Sequence, residues 1–225
     1  MRPGPQRGQG WCKGGAIISQ TVLFPAIGKN QKPQAIRAYR IFMERTAAIA
    51  LLMQHVHGDA LRKHCLATGA IMRAVAGPLS GDPARWEEIG ILHDIDFEEV
   101  NGDMQQHGIA AARLLKGAGI PDDTCGIIAG HNHFLHTGRY DIPVEIALQA
   151  ADSASGLVIA CALVKGGHLP DVSVKTITKK AKERSFAAGC DRNRIALIAP
   201  IMEVPVFFRI ALDGLMAIRT ELGLE

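Results

Sequence analysis

Glu87–Val100 reads EEIGILHDIDFEEV: apolar residues at helical spacing lead to an adjacent His93–Asp94 pair, with Asp96, Glu98 and Glu99 close behind. Neighbouring residues on an α-helix point about 100° apart, so one ion can take both His93 and Asp94 only where the helix ends or unwinds. The run DIDFEEVNGD, with its Gly102, predicts such an end. An aspartate placed there can give one oxygen to each of two ions. The chain holds nine His and twelve Asp, so one such pair is within chance and gains meaning only from partners elsewhere.

The chain around it has the composition of a globular protein. Its 225 residues are 48% hydrophobic and 21% charged, enough for one buried core and incompatible with disorder throughout. Cys12, Cys65, Cys125, Cys161 and Cys190 are spread without a C-x-x-C pair, so neither a disulfide framework nor a zinc knuckle is suggested and a reducing cytoplasm is the expected compartment. The formal net charge is +3, but seven Lys or Arg and no acid fall in residues 1–42, so the remainder carries a net −4. A mildly acidic body lacks the concentrated basic face of a nucleic-acid binder.

Residues 1–42 are rich in Gly and Pro and show neither helical periodicity nor the apolar core and cleavage site of a secretory signal. They read as a basic, disordered extension or a mis-assigned start, with the folded domain beginning near Met43. The longest apolar stretches are interrupted by charges or prolines, as with Pro200, Glu203, Pro205, Arg209 and Asp213 in the segment 195–218, so no membrane partner is expected. The apolar C-terminal helices near Phe207 and Phe208 are a candidate homodimer surface.

From Met43 on, helical periodicity is broken at HGD (57–59), GPLSGDP (77–83), GIPDD (119–123), GGHLPD (166–171) and AAGCD (187–191), which leaves about eight helices and little strand-like alternation. Asp82 before Pro83, and Pro121 before Asp122 and Asp123, read as helix starts. The expected fold is all-α, a helical bundle with a metal site between helices, its metal-site core over 43–165 and C-terminal helices over 166–225.

VEIALQAADSASGLVIACALV (Val144–Val164) predicts one long apolar helix whose interior holds a single acid, Asp152. A buried, unpaired carboxylate is strongly disfavoured, and no Lys or Arg lies in that segment to meet it. His64, His93, His107 and His131 fall on four other predicted helices. Imidazole and carboxylate suit divalent transition metals such as Mn, Fe, Co, Ni and Zn, and separate helices of a bundle can converge them on one site.

The order His64, His93–Asp94, Asp152 resembles the H…HD…D signature of the HD superfamily of metal-dependent phosphohydrolases, and His107 and His131 fall where its binuclear members place two further histidines. The resemblance covers about Met43–Val164. The flanks HG with AAARLL, IIAGH and ALQAAD are similar to small HD hydrolases, including symmetrical dinucleoside tetraphosphate hydrolases, and Val174–Arg192 resembles a group of uncharacterised predicted HD hydrolases. What the resemblance implies is a phosphohydrolase of a small phosphate ester or nucleotide. His64, His93, Asp94 and Asp152 would hold one ion and Asp94, His107 and His131 a second, with a water held between them for attack on phosphorus.

Asp96, as a proton donor or an acceptor behind the ligands, and His133, as a general acid or substrate contact, join Asp94 as catalytic candidates; Glu98 shares the role of Asp96. Lys63, beside His64, and Arg184, in a basic run with Lys175, Lys179, Lys180 and Lys182, are candidate phosphate binders. The HD-GYP cyclic dinucleotide phosphodiesterases carry H-D-I-G-K and G-Y-P, whereas this chain has His93-Asp94-Ile95-Asp96-Phe97 and a Tyr140 separated from Pro143, so that specificity is not expected. Two other readings share the pattern. One is the di-iron site of inositol oxygenase, whose lysine-rich lid is not evident here; the other is a non-catalytic regulatory HD domain, which loses ligands that this chain keeps.

Overall fold

The computed structural model describes residues 43–225; the extension expected over residues 1–42 lies outside the described residues. Ten α-helices and one short 3-10 turn make up the described fold, with no strand, so the all-α expectation holds. In chain order these are α1 (Arg45–His55), α2 (Asp59–Ala76), α3 (Pro83–Leu92), α4 (Ile109–Gly117), α5 (Asp122–Gly130), α6 (Pro143–Leu163), α7 (Val174–Ala181), α8 (Arg192–Ala196), α9 (Val204–Ala217) and α10 (Arg219–Leu222). Their starts follow local chemistry. Asp82 accepts from the amides of Ala84 and Arg85 at 2.9 and 3.3 Å ahead of Pro83, Ser173 caps α7 and Asp191 caps α8.

Helix α2 is the hub, packed on α3, α6 and α9. Its crossings are close because glycine removes the side chain at the contact. A Cβ on Gly90 of α3 would lie 2.7 Å from Gly69 Cα, and one on Gly214 of α9 would lie 2.8 Å from the Ala70 carbonyl. Backbone thus meets backbone on two sides of α2, with His64 little more than one turn before Gly69 and His93 three residues after Gly90.

Helix α6 runs through the core with most of its residues buried. By length and composition alone it is apolar enough to cross a membrane, unlike the sequence expectation for the longest apolar stretches, but 72% of that window is buried inside the fold. Lipid has no access to a face already covered by neighbouring helices, and the apolarity is that of a core helix.

The C-terminal helices complete the same core. Phe207 and Phe208 are 0% and 2% exposed, so their rings pack inside the chain, while Val206 beside them is 46% exposed. Two ends of the fold are also tied: Arg45 at the start of α1 bonds Glu87 of α3 at 2.8 Å and Glu221 of α10 at 2.7 Å.

Candidate metal centre

Helix α3 stops at Leu92, and His93 follows as its C-cap; α5 stops at Gly130, with His131 in the same position. Each histidine turns its Nδ1 back to the carbonyl three residues earlier, His93 to Gly90 at 2.9 Å and His131 to Ile128. Last-turn carbonyls lack full helical pairing, so each ring can bond one, at Ile128 beside the His131 amide, while its Nε2 points the other way. His64 comes from α2, Asp152 from mid-α6, and His107 stands just before Gly108, the N-cap of α4.

Two groups of donor atoms result. His64 Nε2 lies 3.2 Å from His93 Nε2, 3.4 Å from Asp94 Oδ2 and 3.3 Å from Asp152 Oδ1, and His93 Nε2 lies 3.4 Å from Asp94 Oδ2. In the second group His107 Nε2 is 3.0 Å from His131 Nε2, and these are 3.3 and 3.2 Å from Asp94 Oδ1. Asp94 therefore gives one oxygen to each group. Ligands about 2.1 Å from a shared ion at tetrahedral or octahedral angles stand about 3.0–3.4 Å apart, which is the spacing of His64, His93 and Asp94 and of Asp94, His107 and His131, while Asp152 Oδ1 stands 3.3 Å from His64 Nε2 and 3.9 Å from His93 Nε2.

The tautomers agree with that use. The carbonyls of Gly90 and Ile128 can only accept, so Nδ1 of His93 and His131 carries the hydrogen. His107 Nδ1 faces Asp96 Oδ1 at 2.8 Å. Ser155 Oγ donates to the Asp152 carbonyl at 2.7 Å and so accepts from His64 Nδ1 at 3.0 Å. With Nδ1 protonated, the Nε2 lone pairs face one another across each group, an arrangement that a cation resolves. Without one, protons take its place. Burial opposes a charge on His64 and His107, but the bonds from Asp152 and Asp94 raise His64 to about 10, and those from Asp94 and Asp96 raise His107 to about 9. Burial instead pushes His93 down to about 4. Asp94 and Asp152 are held well below the usual carboxylate range, burial notwithstanding, by the surrounding imidazoles and, for Asp152, by Arg194 as well.

Residues 61–157 match the model of the HD domain family, a span that takes in all six of these side chains. These residues are an HD domain. Comparison with curated proteins and with solved structures gave no match. HD domains bind divalent metals and belong to a superfamily of metal-dependent hydrolases, and the residues present here fit that use.

Within the HD-domain match, Asp152 stands in a row of polar residues on α6 that supports the donors. Gln149, Asp152 and Ser155 are spaced by three, on one face of the helix. Gln149 donates to the His131 carbonyl at 3.0 Å and accepts from Arg194 Nε at 2.6 Å. Arg194 Nη2 in turn sits 2.6 Å from Asp152 Oδ2. Arg194 belongs to α8, outside the family match, and ties a ligand of the first group to the backbone of the second. Sequence reasoning missed it because nothing in DRNR separates its arginines, whereas the period of three on α6 was a readable signal for Gln149 and Ser155.

A cavity of ≈ 440 Å³ opens on the first group, lined by His64, Asp152, Arg194, His133, Phe134 and the 189–191 loop among others. His133 is exposed on its wall, next to Phe134.

Two expected site residues lie elsewhere, and a third acts as the acceptor behind His107. Lys63 projects away from His64, its ammonium 2.9 Å from Asp59 one turn back and close to Gly223. Arg184 lines a neighbouring cavity of ≈ 700 Å³ with Lys182 and Arg192. Asp96 is 0% exposed and spends both oxygens on donors: His107 Nδ1, and the amides of Gly108 and Ala111 at 2.8 Å each. Burial works against its charge, but those bonds keep it below the usual carboxylate range, so it orients His107 and caps α4 and has no proton to donate. Glu98 holds the turn leading into α2, accepting from the amides of His57 and Gly58 at 2.7 and 2.8 Å.

Proposed function

We propose that the chain is a phosphohydrolase of a small phosphate ester or nucleotide, working with two divalent transition-metal ions. The observation that carries this is Asp94, whose two oxygens face two separate groups of imidazole and carboxylate donors. When bound, two such ions supply a water of lowered pKa and positive charge for the attacking and leaving oxygens.

The chain's own residues do the rest. His64, His93, Asp94 and Asp152 hold one ion; Asp94, His107 and His131 hold the other. Their Nδ1 bonds fix the rings before substrate arrives, which lowers the cost of reorganisation. Arg194 fastens Asp152 through Nη2 and, lining the cavity, presents the rest of its guanidinium to a phosphoryl oxygen, the planar fork suited to that group. His133, exposed on the same wall, is placed to meet the leaving oxygen or its substituent.

Phosphate release by manganese-loaded protein from nucleotides, dinucleoside polyphosphates and sugar phosphates tests the proposal, run beside Asp94→Ala. The variant is expected to lose activity and metal while keeping its helical circular dichroism. Normal turnover by Asp94→Ala would overturn the two-ion scheme. The oxygenase reading uses the same six side chains with iron, and oxygen consumption by iron-loaded protein that releases no phosphate would replace the hydrolase reading with it.

A further inference from the structure

Phe134 is 66% exposed, the one aromatic among the exposed large hydrophobic side chains of the described residues, and it stands in the wall of the cavity above His64 and Asp152. Its position is built. Asn132, 2% exposed, donates from Nδ2 to the carbonyls of Met104 and His107 at 2.8 and 2.9 Å and accepts the Phe134 amide on Oδ1 at 3.1 Å. The amides of Leu135 and His136 both return to the Asn132 carbonyl at 3.1 Å. A buried amide joined to the backbone of His107 thus holds an apolar ring in water. The His133 ring lies beside it, centroids 4.2 Å apart and planes 37° from parallel.

We infer that Phe134, with His133, is the specificity surface of this site and receives a flat ring on the substrate, selecting phosphate esters that carry a nucleobase or aryl group. This deepens the proposed function and rests on it for the position of the phosphate. With the phosphoryl group at the floor beside Asp152 and Arg194, the ester's substituent points to the rim, where the ring wall is the apolar surface on offer. A cavity of ≈ 440 Å³ lies in the size range of small-ligand sites, about 300–1,000 Å³. Stacking tolerates many rings because each presents a π-face, so selection is for a ring and not for one base.

Equilibrium binding separates this inference from the hydrolase reading. Calorimetry on the manganese-loaded full chain compares adenosine monophosphate, phenyl phosphate and ribose phosphate in wild type, Phe134→Ala and Phe134→Trp. Wild type is expected to bind the two ring-bearing esters about tenfold more tightly than ribose phosphate, a ratio typical of one stacked ring. Phe134→Ala is expected to bring that ratio to about one, and Phe134→Trp to keep it. Equal binding of all three by wild type, or an undiminished ratio in Phe134→Ala, overturns the inference. A ring preference lost in Phe134→Ala without any phosphate release sustains the inference and removes the hydrolase; hydrolysis without ring preference does the reverse. Preference for phenyl phosphate over adenosine monophosphate would assign the site to aryl esters and the opposite order to nucleotides.

Discussion

At the residue scale the centre is arranged from behind. His93 and His131 are oriented by carbonyls of their own helices, His64 by Ser155 and His107 by Asp96. The six clustered donors were legible in the sequence because their order, His64, His93–Asp94 and Asp152 with His107 and His131 between, forms a pattern that single residues do not. Their supports were less so. Asp96 reads like another catalytic acid until its three donors are seen, and Arg194 meets Asp152 from 42 residues further along the chain, a contact with no local signature. Asp96→Asn tests the supporting role: with one oxygen kept for the amides of Gly108 and Ala111, its NH2 would turn on His107, which would lose its acceptor. Metal analysis is expected to show preferential loss of the ion held by His107 and His131, with affinity or activity down roughly 10–100-fold and the ion at His64 retained. Equal loss from both groups would contradict it.

At the scale of elements, two joints decide whether the ligands meet. The first is the glycine crossing of α2 and α3. Gly90→Ala would put a methyl group 2.7 Å from Gly69 Cα and 2.9 Å from the Thr68 carbonyl, and backbone cannot turn aside as a side chain can. The helices must separate, at about 1–3 kcal/mol or more, and His64 is drawn from His93. Denaturant unfolding and metal content are both expected to fall; an unchanged midpoint would show that the crossing is slack. The second joint is Glu98 on the amides of His57 and Gly58, just ahead of α2. Bonds to His57 and Gly58 depress its carboxyl below the ordinary 4.5, so its contribution is complete above that value and disappears as pH falls through the folded-state pKa. Thermal melts should therefore show wild type above Glu98→Gln at neutral pH and the two converging in acid. Helix boundaries were readable from Asp82, Pro83 and the glycines, but a crossing distance was not, since pattern locates a helix without saying which glycine touches which.

For the molecule as a whole, the first ion would join α2, the turn after α3 and α6, and the second that same turn with the segments flanking α4 and α5, so binding favours the folded state alone. Manganese at a hundredfold above its Kd is expected to stabilise the fold by about 2.7 kcal/mol, read as a melting temperature that rises on loading and falls with chelator. Asp94→Ala should leave it flat; a rise in that variant equal to wild type would place the binding elsewhere. The family match ends at residue 157, yet α8 supplies Arg194 and α9 walls α2, so the C-terminal third completes the centre. Pattern showed those helices as apolar without telling an inward Phe207 from an outward Val206. Because the imidazoles are positioned by bonds that need no metal, an ion can leave and another enter without the chain unfolding. Exchange of a bound ion would then run on the timescale of ligand dissociation, and the resident ion would follow the supply around the protein as much as the preference of its donors.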